Sequence, residues 1–588
     1  MRSSSWAVTA AASATLAHAA SNSTLTDVCT TAYVQSMLPN SEAVGLAISI
    51  DSTSVTANAV YNASSTGEVF YPDASYSYCN VTFSYSHNGK DDTVLLEYWM
   101  PAPSQFQNRY LSTGGGGYAI NSADDSLPGG IIYGTSAGIT DGGFGRFSTN
   151  FDTTFPVVNG TANWDTLYMF GYQAHKELSL IGKQFTKNFF AMGEKKLYAY
   201  YQGCSEGGRE GWSQVQRFGE EWDGAITGAP AMRYSFQQIN HLVSNVIEKT
   251  VGYYPPICEM TKIMNATIEA CDPMDGKTDG VVARSDLCKL NFNLNSTIGL
   301  PYYCPAEAAV AGYKNKRQLA QAATPEQNGT VTAEAVEIAS QILDGLKDSE
   351  GRRVYLSYQP GASFADAETA YNFDTDTWEL SISALGQEFP VRFIELQDSS
   401  TLTSLDNVTY DTLREWMYVG WQMYEDSLHT AWPDLSEFQK AGGKVLHFHG
   451  ESDNSIPTAA SVRYHESVRE IMYPNMSFNE STAALNEWYQ LYLVPGAGHC
   501  STNDYQPNGP FPQTNLAVLI DWVENGNTPT TLNATHLAGA NVGENAQLCA
   551  WPLRPMWKQN GTVMDCEYDQ ASIDSWLYEF DSFKMPVY

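Results

Sequence analysis

Residues 195–218 read KKLYAYYQGCSEGGREGWSQVQRF: an apolar stretch, a glycine-rich break, then a helical pattern. Within it Gly203-Cys204-Ser205-Glu206-Gly207 satisfies G-x-S-x-G, the elbow that presents a serine on a strained turn between strand and helix. Small neighbours are needed because bulk beside such a turn would collide. The pentapeptide alone arises often by chance, but its flanks here are the ones the elbow requires, so an ordinary glycine-rich connection is the weaker reading. Other segments follow the same plan. DTVLLEYWMPAP from Asp92 and NRYLSTGGGG from Asn108 are strands with turn punctuation. GGKVLHFHGESD, ending at Asp453, and YQLYLVPGAGHC, ending at Cys500, are apolar strands that run into polar loops. Strands alternating with helices predict an α/β fold around a parallel sheet, with reactive loops at the strand ends.

The chain has 588 residues, enough for several domains or for one large fold carrying an insertion. Residues 235–438 lose the alternation and become rich in Cys, Asn and Asp, which predicts a lid domain inserted over the sheet. The core is then split into 20–234 and 439–588. A hydrophobic content of 43 % against 16 % charged residues excludes a disordered chain. A formal charge of −33 repels phosphate backbones and argues against a nucleic-acid partner. The opening 1–19, with an early Arg2, an apolar run too short for a bilayer and Ala17-His18-Ala19, predicts a secretion signal. No later segment predicts a membrane span. About a dozen Asn-x-Ser/Thr sequons, among them Asn62, Asn80, Asn159, Asn265, Asn407 and Asn533, suit a glycosylated extracellular chain.

Ten cysteines in an oxidising compartment argue for full pairing, although sequence does not dictate connectivity. Proximity favours Cys29–Cys79, Cys258–Cys304, Cys271–Cys288 and Cys549–Cys566, leaving Cys204 for Cys500. The dibasic Lys316-Arg317 lies in a polar stretch that is either a solvated loop or a processing site. Seven cysteines precede Arg317 and three follow it, so with full pairing at least one bridge crosses the cut.

A serine hydroxyl is a weak nucleophile and needs a base within hydrogen-bond reach, itself oriented by a third group. On an elbow of this kind the chain order is Ser, acid, His. His499, in a Gly-flanked loop after LYLVP, is the expected base, and Asp453, at the end of VLHFHGESD, the expected acid. His447 and His449 alternate along a strand and are expected to pack or hydrogen-bond there, while His175 and His465 lie in helical patterns. Asp426 and Asp434 follow no predicted strand. Because a disulfide holds its Cα atoms about 5.5–6 Å apart, a Cys204–Cys500 bridge would turn Ser205 and His499 towards each other; the plain alternative is a stabilising staple. Oxyanion donors are expected from the N–H of Glu206 and from STGGGGY, Ser112 to Tyr118, with Gly115 or Gly116 as the second donor. The loop CDPMDGKTDGV spaces Asp272, Asp275 and Asp279 around glycines. From spacing alone, a Ca2+ site and an ion-free Asx-turn loop stand level.

GCSEGGREGWSQVQRFGEEWDGAITGAPA, ACDPMDGKTDGVV, HGESD and PGAGHC together resemble the tannase and feruloyl esterase family, nearly end to end. VTYDTL, LIDWVENG and MPVY extend the likeness. The resemblance implies an α/β-hydrolase core with a lid, a triad of Ser205, Asp453 and His499, and a bridge between the adjacent cysteines. It also implies lid calcium on Asp272, Asp275 and Asp279 with the carbonyls of Lys277 and Val281, and no organic cofactor. The implied reaction is hydrolysis of gallate esters and depsides in tannins. A small-molecule or polyphenol ester would be the partner. The nearest rival is a feruloyl esterase with the same machinery; a rival of another class is a glycosylated binding protein on an idle hydrolase scaffold. The aromatic run Arg414–Leu428 either walls the acyl pocket or forms a packed amphipathic helix.

Overall fold

Side chains of successive strand residues point to opposite faces, so a strand covered on both sides must be apolar at nearly every position. Tyr198–Cys204, Gly224–Gly228 and Tyr489–Val494 come close to that requirement, Lys444–Gly450 meets it apart from Lys444 and two buried histidines, and all four belong to the parallel part of a nine-stranded sheet. The computed structural model describes residues 23–145, 147, 157–158, 160–309 and 322–588. The predicted signal 1–19, Asn159 and the dibasic Lys316-Arg317 lie outside these residues.

The strands are β1 (Ile48–Ser65), β2 (Ala74–His87), β3 (Val94–Pro101), β4 (Arg109–Thr113), β5 (Thr135–Thr140), β6 (Tyr198–Cys204), β7 (Gly224–Gly228), β8 (Lys444–Gly450) and β9 (Tyr489–Val494). Their order is β1-β2-β3-β5-β4-β6-β7-β8-β9. The pairs β1/β2, β2/β3 and β3/β5 are antiparallel, and all pairs from β5/β4 to β8/β9 are parallel. The longer helices include α1 (Ala174–Phe189), α2 (Glu206–Arg217), α3 (Ile257–Cys271), α4 (Ala333–Asp344), α5 (Tyr410–Tyr424), α6 (Ala459–Met472) and α7 (Asn515–Asn525). On one face Tyr200, Ile226, Leu446 and Tyr492 pack with Leu516, Leu519 and Trp522 of α7. On the other, Tyr201, Ala225, Val445 and Tyr489 pack with Trp212 and Val215 of α2 and Tyr464 and Val468 of α6.

Register brings the reactive ends together. Cys204 pairs with Gly228, Phe448 with the same Gly228, and Gly450 with Val494. The loops after β6, β8 and β9 therefore leave the sheet at one edge. Among the described residues none from 235 to 438 joins the central sheet. That segment is mainly helical, with two small hairpins, Pro301–Cys304 with Gln327–Thr330 and Ala370–Asn372 with Thr377–Glu379. It reaches the strand ends directly: Tyr118 OH donates to Gln238 Oε1 (3.1 Å), and Gln237 Nε2 donates to the Ser455 carbonyl (2.6 Å). The Arg414–Leu428 run lies in α5 as far as Tyr424, and that helix buries Leu413, Met417, Gly420 and Tyr424, the packed amphipathic reading. Its Trp421 walls a cavity of about 680 Å³, with Phe236, Trp432 and Met585, that holds none of Ser205, Asp453 or His499.

Candidate active site

The elbow is built by close packing of backbone. A Cβ on Gly203 would lie 2.5 Å from the Gly207 carbonyl oxygen, and one on Gly207 would lie 2.9 Å from the Gly115 carbonyl oxygen. With side chains excluded, β6 turns into α2 within one residue. Ser205 takes the strain, at φ 65° and ψ −123°, a region that costs a non-glycine residue roughly 1–3 kcal/mol. Its hydroxyl donates to His499 Nε2 (2.8 Å), and His499 Nδ1–H donates to Asp453 Oδ2 (2.8 Å). Asp453 Oδ1 accepts from the N–H groups of Ser455 and Ile456, both at 2.8 Å. Burial alone would push the Asp453 carboxyl up. The imidazoles of His499 and His449 outweigh it and hold the acid below the usual carboxylate range, so it is ionised as an orienting group must be.

Cys204 and Cys500 are bridged with their Cα atoms 6.0 Å apart. The other pairs are Cys29–Cys79, Cys258–Cys304, Cys271–Cys288 and Cys549–Cys566, each as expected from proximity. Ser205 and His499 lie 294 residues apart in the chain, and the bond ties the residues next to both.

The oxyanion loop differs from expectation. Gly115 N–H donates to Glu210 Oε2 (2.9 Å) and Gly116 N–H to the Ala119 carbonyl (3.1 Å), so neither faces a substrate. Gly114 N–H donates to Gln202, and within the run Gly114–Gly117 only Gly117 N–H meets no acceptor among the described residues. The Glu206 N–H stands at the first position of α2, where no intrahelical partner exists. Sequence reasoning missed Glu210, which anchors this loop: fully buried, it also accepts from Tyr201 OH (3.2 Å) and lies 3.0 Å from His175 Nε2. It missed Arg209 as well, which pairs with Glu206 and donates to the Gly171 and Phe170 carbonyls (2.7 and 2.8 Å). The only signal in the sequence was the three charged residues in the first turns of α2; the structure adds that every residue from 206 to 215 is buried. Buried charges are paired and structural, or functional.

A family model described as tannase and feruloyl esterase matches residues 79–571, a span that contains all three triad positions. The chain belongs to the tannase and feruloyl esterase family. It is therefore a carboxylic ester hydrolase. It is 51 % identical over 588 residues to the tannase of Aspergillus oryzae (strain ATCC 42149 / RIB 40), covering 98 % of each chain. It is 27 % identical over 491 residues to a probable feruloyl esterase of Arthroderma benhamiae, covering 83 % of this chain and 84 % of that one. The structure matches the tannin acyl hydrolase from Aspergillus niger with a TM-score of 0.92 at 61 % identity, covering 96 % of this chain and 100 % of that one. Feruloyl esterase B from Aspergillus oryzae shares the fold, with a TM-score of 0.65 at 22 % identity over 91 % of this chain and 100 % of that one. The α/β-hydrolase expectation from the family resemblance is met.

In this family member the loop after α3 brings the expected calcium residues close without closing a cage. Asp272 Oδ1 accepts from Asp279 N–H (2.9 Å) and Val281 N–H (3.4 Å), Asp275 Oδ1 from Lys277 N–H (2.9 Å), and Asp279 Oδ2 pairs with Lys277 Nζ (2.9 Å). Among the described residues no group of three His, Cys, Asp or Glu side chains is arranged to hold a metal as it stands. Burial, with Asp279 and Asp272 nearby, pushes the Asp275 carboxyl up to about 7, an electrostatic cost that a cation would relieve. The donor chemistry, carboxylates and carbonyls on one disulfide-closed loop, fits a hard ion. The loop also supports the catalytic side: Val282 N–H donates to Gln506 Oε1 (2.8 Å), whose Nε2 donates to Ser452 Oγ (2.7 Å) beside Asp453.

Proposed function

We propose that this chain hydrolyses galloyl ester and depside bonds of tannins, releasing gallic acid through an acyl-enzyme on Ser205. The observation that carries the mechanism is the unbroken line Ser205 Oγ–His499–Asp453, with both links at 2.8 Å. His499 takes the Ser205 proton as the oxygen attacks the ester carbonyl. Asp453 holds the imidazole in the tautomer that permits this and stabilises the cation formed. His499 then gives the proton to the leaving alcohol, and water repeats the sequence on the acyl-serine. The N–H groups of Glu206 and Gly117 are the proposed oxyanion donors, replacing Gly115 and Gly116.

Likeness favours the galloyl reading. Identity with the named tannase is 51 % across 98 % of both chains, against 27 % with the probable feruloyl esterase. The test is turnover of methyl gallate against methyl ferulate on the same preparation. A kcat/KM ratio above about 100 for gallate is expected, since a site built to hydrogen-bond hydroxyls discriminates strongly against analogues that lack them. A ratio below one would assign the feruloyl reaction instead. Absence of turnover on both esters, with no labelling by a fluorophosphonate, would favour the binding protein.

Calcium is proposed for the loop bearing Asp272, Asp275, Asp279 and the carbonyls of Lys277 and Val281, where it would balance clustered negative charge. Chelation is expected to lower the melting temperature by about 5 °C and added Ca2+ to restore it. An unchanged melting temperature would leave the loop an ion-free turn. Secretion and glycosylation are part of the same reading. The five disulfides suit an oxidising compartment, and no helix among the described residues is long and apolar enough to cross a membrane. Asn62, Asn265, Asn407 and Asn533 are exposed, whereas Asn80 turns its amide inward to Glu97 (2.8 Å). Glycans are expected on the first four and not on Asn80, as peptide mapping would show.

A further inference from the structure

A second hydrogen-bonded line runs behind the triad. On β8, His449 Nε2 lies 3.2 Å from Asp453 Oδ2 and 3.0 Å from the Ile456 carbonyl oxygen. Its Nδ1 is 2.6 Å from Ser461 Oγ on α6, which is 2.7 Å from His447 Nε2. His447 Nδ1 is 2.8 Å from the Tyr489 hydroxyl on β9. All four side chains are fully buried.

Acceptor counting fixes the protons. The Asp453 carboxylate and the Ile456 carbonyl only accept, so His449 Nε2 carries a hydrogen shared between them. Among the described residues the buried Tyr489 hydroxyl has only His447 Nδ1 as a partner, so it donates there and His447 Nε2 carries the hydrogen that goes to Ser461; were His449 Nδ1 protonated too, Ser461 would accept from both imidazoles and its own buried hydroxyl proton would have no partner, at the full desolvation cost. With Nδ1 as acceptor, Tyr489 O–H donates to His447, His447 Nε2–H to Ser461, Ser461 O–H to His449, and His449 to Asp453. Every link is satisfied and all run one way. Burial holds His447 well below the ordinary imidazole range, in the neutral form this order requires.

The end of the line bears on geometry. Oδ1 of Asp453 is fixed by two backbone donors, but among the described residues Oδ2 faces only His499 and His449. His449 also grips the Ile456 carbonyl, in the same loop whose N–H groups hold Oδ1. Thr458 Oγ1 and the Asp453 N–H also reach the Gly450 carbonyl at the strand end (2.6 and 3.4 Å), but without His449 the Oδ2 atom and the Ile456 carbonyl lose their side-chain tie to the strand.

We propose that His449 is a positioning residue for Asp453, and that the line Tyr489–His447–Ser461–His449 sets the carboxylate that orients His499. This rests on reading Ser205, Asp453 and His499 as the triad. His449→Phe keeps ring volume without a donor, and His449→Gln keeps an N–H near the Nε2 position. On one ester, kcat in His449→Phe is expected to fall about 10- to 100-fold with KM little changed, the scale on which outer-shell partners act elsewhere. His449→Gln should recover most of it. Ser461→Ala, a smaller change, should cost several-fold, and it carries the test if His449→Phe does not fold. A folded His449→Phe or Ser461→Ala enzyme with wild-type kcat would overturn the proposal, as would equal losses in the Phe and Gln variants. If instead Ser205→Ala retains activity, the triad reading itself has failed, which separates the two outcomes.

Discussion

Ser205→Ala is expected to lower kcat for ester hydrolysis by about 10⁶-fold, to the residue of rate that binding and oxyanion donors supply without a nucleophile. The loss should be close to that of His499→Ala, because the two act as one unit. Labelling by a fluorophosphonate should vanish with it. Stability gives an independent reading of the same site, because the serine occupies φ 65° and its strain is paid by the rest of the fold. Ser205→Gly, which adopts that region freely, should be inactive yet more stable by about 1 kcal/mol. Activity above about one per cent in Ser205→Ala would remove this serine from the chemistry, since no oxyanion contribution is that large.

Breaking the Cys204–Cys500 bridge, in the double variant Cys204→Ala/Cys500→Ala, is expected to cost both stability and rate. The bridge closes a separation of 296 residues, for which chain entropy predicts about 6 kcal/mol. The rate effect has a different origin. Ser205 and His499 come from separate strand ends, and misplacement by about 1 Å is enough to cost roughly 100-fold. Measuring kcat at a temperature where circular dichroism shows the variant folded separates the two. A folded variant with wild-type kcat would reduce the bridge to a staple.

The three side chains that line up as Ser205, His499 and Asp453 were legible because the proposed chemistry demands particular residue types in particular contexts. A serine on a glycine-lined turn, an aspartate just past a strand and a histidine in a glycine-flanked loop are each marked locally. Disulfide pairing was legible because four of the pairs are near in sequence and the fifth remained. The fold class followed from apolar runs that end in polar loops.

Other features depended on three-dimensional neighbours that no local pattern records. Gly115 and Gly116 carry the right residue type for an oxyanion loop, yet Glu210 and Ala119 claim their N–H groups. His447 and His449 alternate on β8 as the sequence suggests. Only α6 and β9 reveal that Ser461 and Tyr489 order their protons and that the line ends on Asp453. Residue type and local context are written in the chain itself, whereas hydrogen-bond partners are set by which segments the packed sheet places side by side.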